Sequence, residues 1–138
     1  MNNNDEFYTL KGYQSHQKME LTPALEDYLE MIYRLLQKCD VVRVGELSEH
    51  LHVKPSSASK MIRQLAELGF VDAQKYGYVR LTDKGCQEGT YLLYRHEVLL
   101  RFLKALNSCE DVLEEAEQIE HFLSPVTIAN MDALTKRI

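Results

Sequence analysis

The chain of 138 residues has no tryptophan, only three prolines and only three cysteines. No apolar run approaches the roughly 18 residues of a membrane-spanning helix. The opening stretch, MNNNDEFYTLKGYQSHQK, contains no apolar segment of the kind a secretion signal requires. Cys39, Cys86 and Cys109 are odd in number, far apart and free of any C-x-x-C pairing, which excludes a disulfide framework and a zinc finger. Together these absences predict a cytoplasmic protein with no membrane partner. Positive charge is also in short supply: 16 Lys and Arg face 21 Asp and Glu, for a net charge of −5. A nucleic-acid partner needs cations against its phosphates, so the total speaks against one unless the cations are concentrated.

They are concentrated. Residues 41–85 hold seven Lys/Arg and five Asp/Glu, whereas residues 1–40 hold four and seven, and residues 86–138 five and nine. The middle third is therefore the positive part of an acidic chain.

Hydrophobic spacing gives the organisation. Residues 1–20 are polar and aperiodic and read as a flexible arm, with Phe7, Tyr8, Leu10 and Tyr13 as its apolar groups. Thr22-Pro23 then supplies an N-cap and a proline at the first helical position. Leu25, Leu29, Ile32 and Leu36 follow at helical intervals, with Tyr28, Met31 and Leu35 as a second apolar flank and Asp27, Glu30 and Arg34 opposite. Two short helices broken at His52-Val53 follow; the second opens at Pro55 and closes at Gly69. Runs at Phe70–Lys75 and Tyr78–Leu81, joined at Tyr76-Gly77, predict a β-hairpin. A long helix is expected from Thr82 to about Leu106, with Leu92, His96, Leu99, Leu103 and Leu106 on one stripe. Ser108-Cys109-Glu110-Asp111 resembles a capping box for a helix carrying Val112, Ala116, Ile119 and Leu123. Ser124-Pro125 caps a last helix. The predicted fold is mainly α: a winged helix-turn-helix with a small β-hairpin wing over 21–84, then an α-helical region over 85–138.

This element order and the local charge point to DNA. The second helix of the helix-turn-helix enters the major groove N-terminus first. Its exposed candidates are Lys54, Pro55, Ser56, Ser57, Ser59, Lys60 and Arg63; small hydroxyls permit close approach, and the helix N-terminus favours phosphate. Lys75, Tyr76 and Tyr78 on the wing are candidates for the backbone or the minor groove, and Arg80 and Lys84 add to the basic cluster. One copy reads few bases, so a homodimer on a two-fold site is expected.

A second constellation suits a metal. Glu117, Glu120 and His121 fall at i, i+3 and i+4, on one helix face. Asp27 and Glu30 are similarly spaced on the first helix, and His96 interrupts a leucine stripe. Each signal has an ordinary reading, as a solvated acidic face or a hydrogen-bonded core histidine. Together they offer carboxylates and imidazoles from three helices, a hard donor set that suits Mn²⁺ or Fe²⁺ better than a zinc-thiolate site. Catalytic spacings are not met: Gln118 stands where a di-iron Glu-x-x-His needs Glu, and Leu100 where a zincin needs its second His. No enzyme is expected.

Several stretches resemble the manganese-sensing branch of the DtxR-type metal-dependent repressors. They are Glu26-Asp27-Tyr28-Leu29-Glu30, the run Val53 to Met61, Leu81-Thr82-Asp83-Lys84-Gly85, Tyr94-Arg95-His96-Glu97, and Ile119-Glu120-His121 preceded by Glu117. The likeness covers about residues 21–125. It implies a homodimeric repressor of manganese uptake genes, with a winged helix followed by a helical metal-binding and dimerisation domain. It further implies that Asp27, Glu30, His96, Glu117, Glu120 and His121 hold two Mn²⁺ ions per subunit. The iron-sensing branch has softer Met and Cys where this chain has Asp27 and Glu117.

Overall fold

The structure, a computed structural model, describes residues 21–138; the arm at 1–20 lies outside the described residues. Helix α1 (Pro23–Leu36) begins where Thr22 Oγ1 accepts the Leu25 N–H at 3.2 Å, the predicted cap. Leu29 and Ile32 are fully buried on its inner face, each contributing about 1.5–3 kcal/mol of burial. Strand β1 (Val42–Arg43) leads directly into α2 (Val44–Leu51). The tight turn after α2 puts His52 in the left-handed region, φ 55°, and Pro55 opens α3 (Pro55–Glu67). Gly69, φ 86°, ends that helix as expected of a C-terminal glycine.

The wing is a three-stranded antiparallel sheet rather than a bare hairpin. Strands β2 (Val71–Ala73) and β3 (Tyr78–Leu81) pair in the register Val71↔Leu81, and β1 adds on the other side of β3 through Val42↔Val79. A two-residue strand has no period to read, so β1 was not visible in the sequence. The first wing strand is also shorter than the run at Phe70–Lys75. Phe70 turns into the core, and Lys75–Gly77 form a 3₁₀ turn with Tyr76 and Gly77 both at positive φ.

Helix α4 (Asp83–Asn107) starts at the Thr82 cap. It accommodates two early glycines because neighbours press on it. A Cβ on Gly85 would stand 1.9 Å from the Phe70 carbonyl oxygen, and one on Gly89 2.7 Å from the Tyr33 ring. The helix ends at Ser108, which takes the left-handed conformation as its C-cap. The expected capping box at Ser108–Asp111 is therefore not an N-cap. Helix α5 (Leu113–Ile119) starts five residues after Ser108, behind Val112, and a 3₁₀ turn (Glu120–Phe122) replaces its predicted last turn. Helix α6 (Pro125–Thr135) is capped by Ser124 Oγ on the Thr127 N–H at 3.2 Å.

Two hydrophobic cores result. One unites α1–α3, the sheet and Leu92 of α4; the other gathers Leu99 and Leu103 of α4 with Val112 and Ala116. Helix α4 runs through both, and His96 lies between its contributions to each. Among the described residues no helix is long and apolar enough to cross a membrane.

Candidate metal centre and nucleic-acid interface

Five of the six residues singled out for metal converge. Asp27, Glu120 and His121 form one group and Glu30, His96 and Glu120 another, with the donor atoms of each group within 4.8 Å of one another. Glu120 belongs to both. The donors come from α1, α4 and the 3₁₀ turn after α5. Glu120 and His121 are adjacent in that turn, which carries both side chains to the α1–α4 locus. Glu117 is exposed; it lines the same cleft, about 320 Å³, without joining either group.

The electrostatics are those of crowded carboxylates held by protons and one arginine. Burial raises the Glu30 carboxyl above its usual range, the charge of Glu120 adds to this, and Arg34 opposes it through an ion pair at 2.6 Å. His96 is raised by its hydrogen bond to Glu120, 3.0 Å from Nδ1 to Oε2, against the effect of burial. For His121, burial acts downward. Hydrogen bonds to Asp27 and Glu26, with their charges, outweigh it and push the ring up to about 9. Nε2 lies 3.0 Å from Asp27 and Nδ1 2.9 Å from Glu26. Carboxylate oxygens and imidazole nitrogens, with no thiolate among them, fit a divalent cation of the Mn²⁺ or Fe²⁺ kind.

Two further residues adjoin the cluster without having been given a role by the sequence. Glu26 and Arg95 are both buried and paired at 3.1 Å. The available signal was Arg95 standing at core spacing between Leu92 and Leu99, where a charge needs a partner.

Helix α3, which contributes no residue to the cleft, buries Ala58, Ile62 and Leu65 and leaves Lys54, Pro55, Ser56, Ser57, Ser59, Lys60 and Arg63 exposed. Unlike α1, α4 and α6, it has no side-chain N-cap bond, so its first N–H groups are unclaimed by its cap residue. At the wing Tyr76 is 90% exposed at the tip of the turn that also contains Lys75. Tyr78 is half-buried and already engaged: the Arg43 guanidinium donates to its hydroxyl and lies 4.7 Å from its ring centroid. Arg43 thus joins the basic face through β1, the strand that sequence reading did not see. Lys84 serves the fold, with its Nζ 4.4 Å from the Phe70 ring centroid and 2.9 Å from the Leu68 carbonyl that accepts from it.

Known proteins share this plan. Residues 20–79 match the family described as iron dependent repressor, N-terminal DNA binding domain, and residues 82–138 the one described as iron dependent repressor, metal binding and dimerisation domain. The HTH-type transcriptional regulator MntR of Oceanobacillus iheyensis is 40% identical over 104 residues, 75% of this chain and 71% of that protein. A manganese-dependent transcriptional repressor solved in complex with manganese superposes with a TM-score of 0.73 at 36% identity, over 81% of this chain and 52% of its own. The manganese regulator SloR gives 0.73 at 28% identity, over 86% and 56%. The chain spans just over half the length of these two solved chains. With a reading helix, a wing and a hard donor cluster joining two cores, the chain belongs to the iron-dependent, DtxR-type family of metal-dependent transcriptional regulators, which are not enzymes.

Proposed function

We propose that this chain is a manganese(II)-responsive repressor that binds operator DNA as a metal-loaded homodimer and controls manganese uptake genes in the cytoplasm. The observation that carries this reading is the pair of donor groups joined at Glu120. Asp27 and Glu30 come from α1, which packs in the core of the reading head; His96, Glu120 and His121 come from beyond the wing. In this reading residues 21–84 form the DNA-binding domain and 85–138 the metal-binding and dimerisation domain, with α4 running from one to the other.

Asp27, Glu30, His96, Glu120 and His121 would hold two Mn²⁺ ions per subunit, with Glu117 reaching in from the rim of the cleft. Bound cations would supply positive charge that offsets the carboxylates of Asp27, Glu30 and Glu120 gathered there. The residues of the chain do the rest. His121 would give up the proton it holds in the metal-free protein, His96 would exchange its hydrogen bond to Glu120 for the cation, and Arg34 would give up part of its hold on Glu30. Asp27 and Glu30 then fix α1 against the 3₁₀ turn and α4. In a dimer this fixes the separation of the two reading helices, which has to match half-sites one helical turn apart, about 34 Å. Lys54, Lys60 and Arg63 meet phosphates, Ser56, Ser57 and Ser59 approach base edges beside Pro55, and Lys75, Tyr76 and the Arg43–Tyr78 pair follow the adjoining backbone.

Fluorescence anisotropy with operator DNA tests this directly. Wild type should bind tightly with Mn²⁺ and weakly after chelation, and Glu120→Ala should bind weakly in both. Equal affinity in all four conditions would sink the corepressor reading, and a response to Fe²⁺ alone would reassign the metal.

A further inference from the structure

His121 is held on both ring nitrogens by adjacent residues of α1. Nε2 lies 3.0 Å from Asp27 Oδ1 and 3.9 Å from Glu120 Oε1, so this nitrogen faces the donor group. Nδ1 lies 2.9 Å from Glu26 Oε1. The other Glu26 oxygen accepts from Arg95 Nη1 at 3.1 Å, and Arg95 is 3% exposed. Arg95 Nη2 also lies 3.3 Å from Nδ1. A guanidinium cannot accept a proton, so the Nδ1 hydrogen belongs to the bond with Glu26.

Holding helices together does not account for this pair. A buried ion pair loses its hydration, and apolar residues of similar size serve a core as well or better. What the pair does provide is directional. An imidazole ligand is best held when its distal N–H is given to a carboxylate, which fixes the ring and raises the basicity of the nitrogen that faces the metal. We propose that Glu26 and Arg95 are positioning residues of the metal centre: Arg95 anchors the Glu26 carboxylate, and Glu26 fixes the Nδ1–H of His121 so that Nε2 is presented to the cation. This rests on the reading of His121 as a metal ligand. The adjacent carboxylates of α1 then have different tasks, Asp27 toward the ion and Glu26 toward the imidazole. Helix α4 likewise supplies an anchor and a ligand from neighbouring residues, Arg95 and His96.

The test compares wild type, Glu26→Gln and the double variant Glu26→Leu/Arg95→Met, which removes both buried charges together. Mn²⁺ affinity is measured by calorimetry, and the His121 ring nitrogens are followed by ¹⁵N NMR in the metal-free protein. The double variant should melt close to wild type yet bind Mn²⁺ about 10–100-fold more weakly. It should also lack the exchange-protected Nδ1–H signal that wild type is expected to show. Glu26→Gln keeps the volume and a weaker acceptor, and should bind about tenfold more weakly; it decides the matter if the double variant does not fold. Affinity within about twofold of wild type, or a protected Nδ1–H that survives in the double variant, overturns the positioning role. Wild-type protein that binds no Mn²⁺ overturns instead the metal reading on which it rests.

Discussion

Glu120 differs from the other cleft residues in belonging to both donor groups while being only 2% exposed. Removing it should cost binding at both positions, whereas Asp27→Ala touches only one group. Titration with Mn²⁺ followed by electron paramagnetic resonance should therefore show loss of all tight sites in Glu120→Ala and of a subset in Asp27→Ala. Protons matter as much as carboxylates. His121, raised to about 9, carries a proton at neutral pH in the metal-free protein. Binding through Nε2 has to displace it, so metal loading releases protons and apparent affinity rises with pH up to about 9, roughly tenfold per unit for each proton released. Calorimetry in buffers of different ionisation heat should register that release at pH 7.5; heats independent of the buffer would contradict it. The candidate ligands were legible because helical spacing places carboxylates and a histidine on shared faces. Glu26 and Arg95 were less so, since each has the spacing of a core residue and its partner lies 69 positions away along the chain.

Elements were readable where local chemistry sets their ends. Thr22-Pro23 and Ser124-Pro125 cap the helices they were expected to cap, because an N-cap hydroxyl and a proline at the next position act within four residues. Strand β1 and the fate of Ser108 were not readable in this way: a two-residue strand exists only because β3 is beside it, and Ser108, a common N-cap residue, instead closes α4 in the left-handed conformation with its N–H donated to the Lys104 carbonyl. The early glycines of α4 looked like weak points and are instead required by close approach. Gly85→Ala should destabilise the fold by about 1–3 kcal/mol, since its Cβ meets the backbone oxygen of Phe70 rather than a movable side chain. Urea unfolding monitored by circular dichroism measures this. On α3, Lys60 and Arg63 are exposed and assigned to phosphates, so Lys60→Ala should weaken operator and random DNA alike and lower the slope of log affinity against log salt by about one. A loss confined to the operator would move Lys60 from the backbone to a base edge.

At the scale of the molecule, the acidic total and the basic reading head are parts of one arrangement. Cations concentrate on residues 41–85 to meet phosphate, and the acidic excess elsewhere includes Asp27, Glu30 and Glu120, gathered between α1 and α4. The cleft lies between elements of both cores, so any cation that binds there acts on the position of α1 relative to α4. Its influence on DNA binding is a coupling free energy, and such a coupling is reciprocal. If Mn²⁺ raises operator affinity by some factor, operator DNA has to raise Mn²⁺ affinity by the same factor, with typical couplings of about 1–3 kcal/mol giving roughly 5–150-fold. Measuring Mn²⁺ binding with and without saturating operator, and operator binding with and without saturating Mn²⁺, closes this cycle. Two equal factors well above one would place the coupling in the protein's own equilibrium between arrangements. Tightened DNA binding with no matching gain in Mn²⁺ affinity at the cleft would mean that the cation acts elsewhere, for example by bridging the protein to the phosphates. The variant Lys60→Ala separates these outcomes further: it lowers both DNA affinities but, lying on α3 away from the cleft, should leave their ratio unchanged.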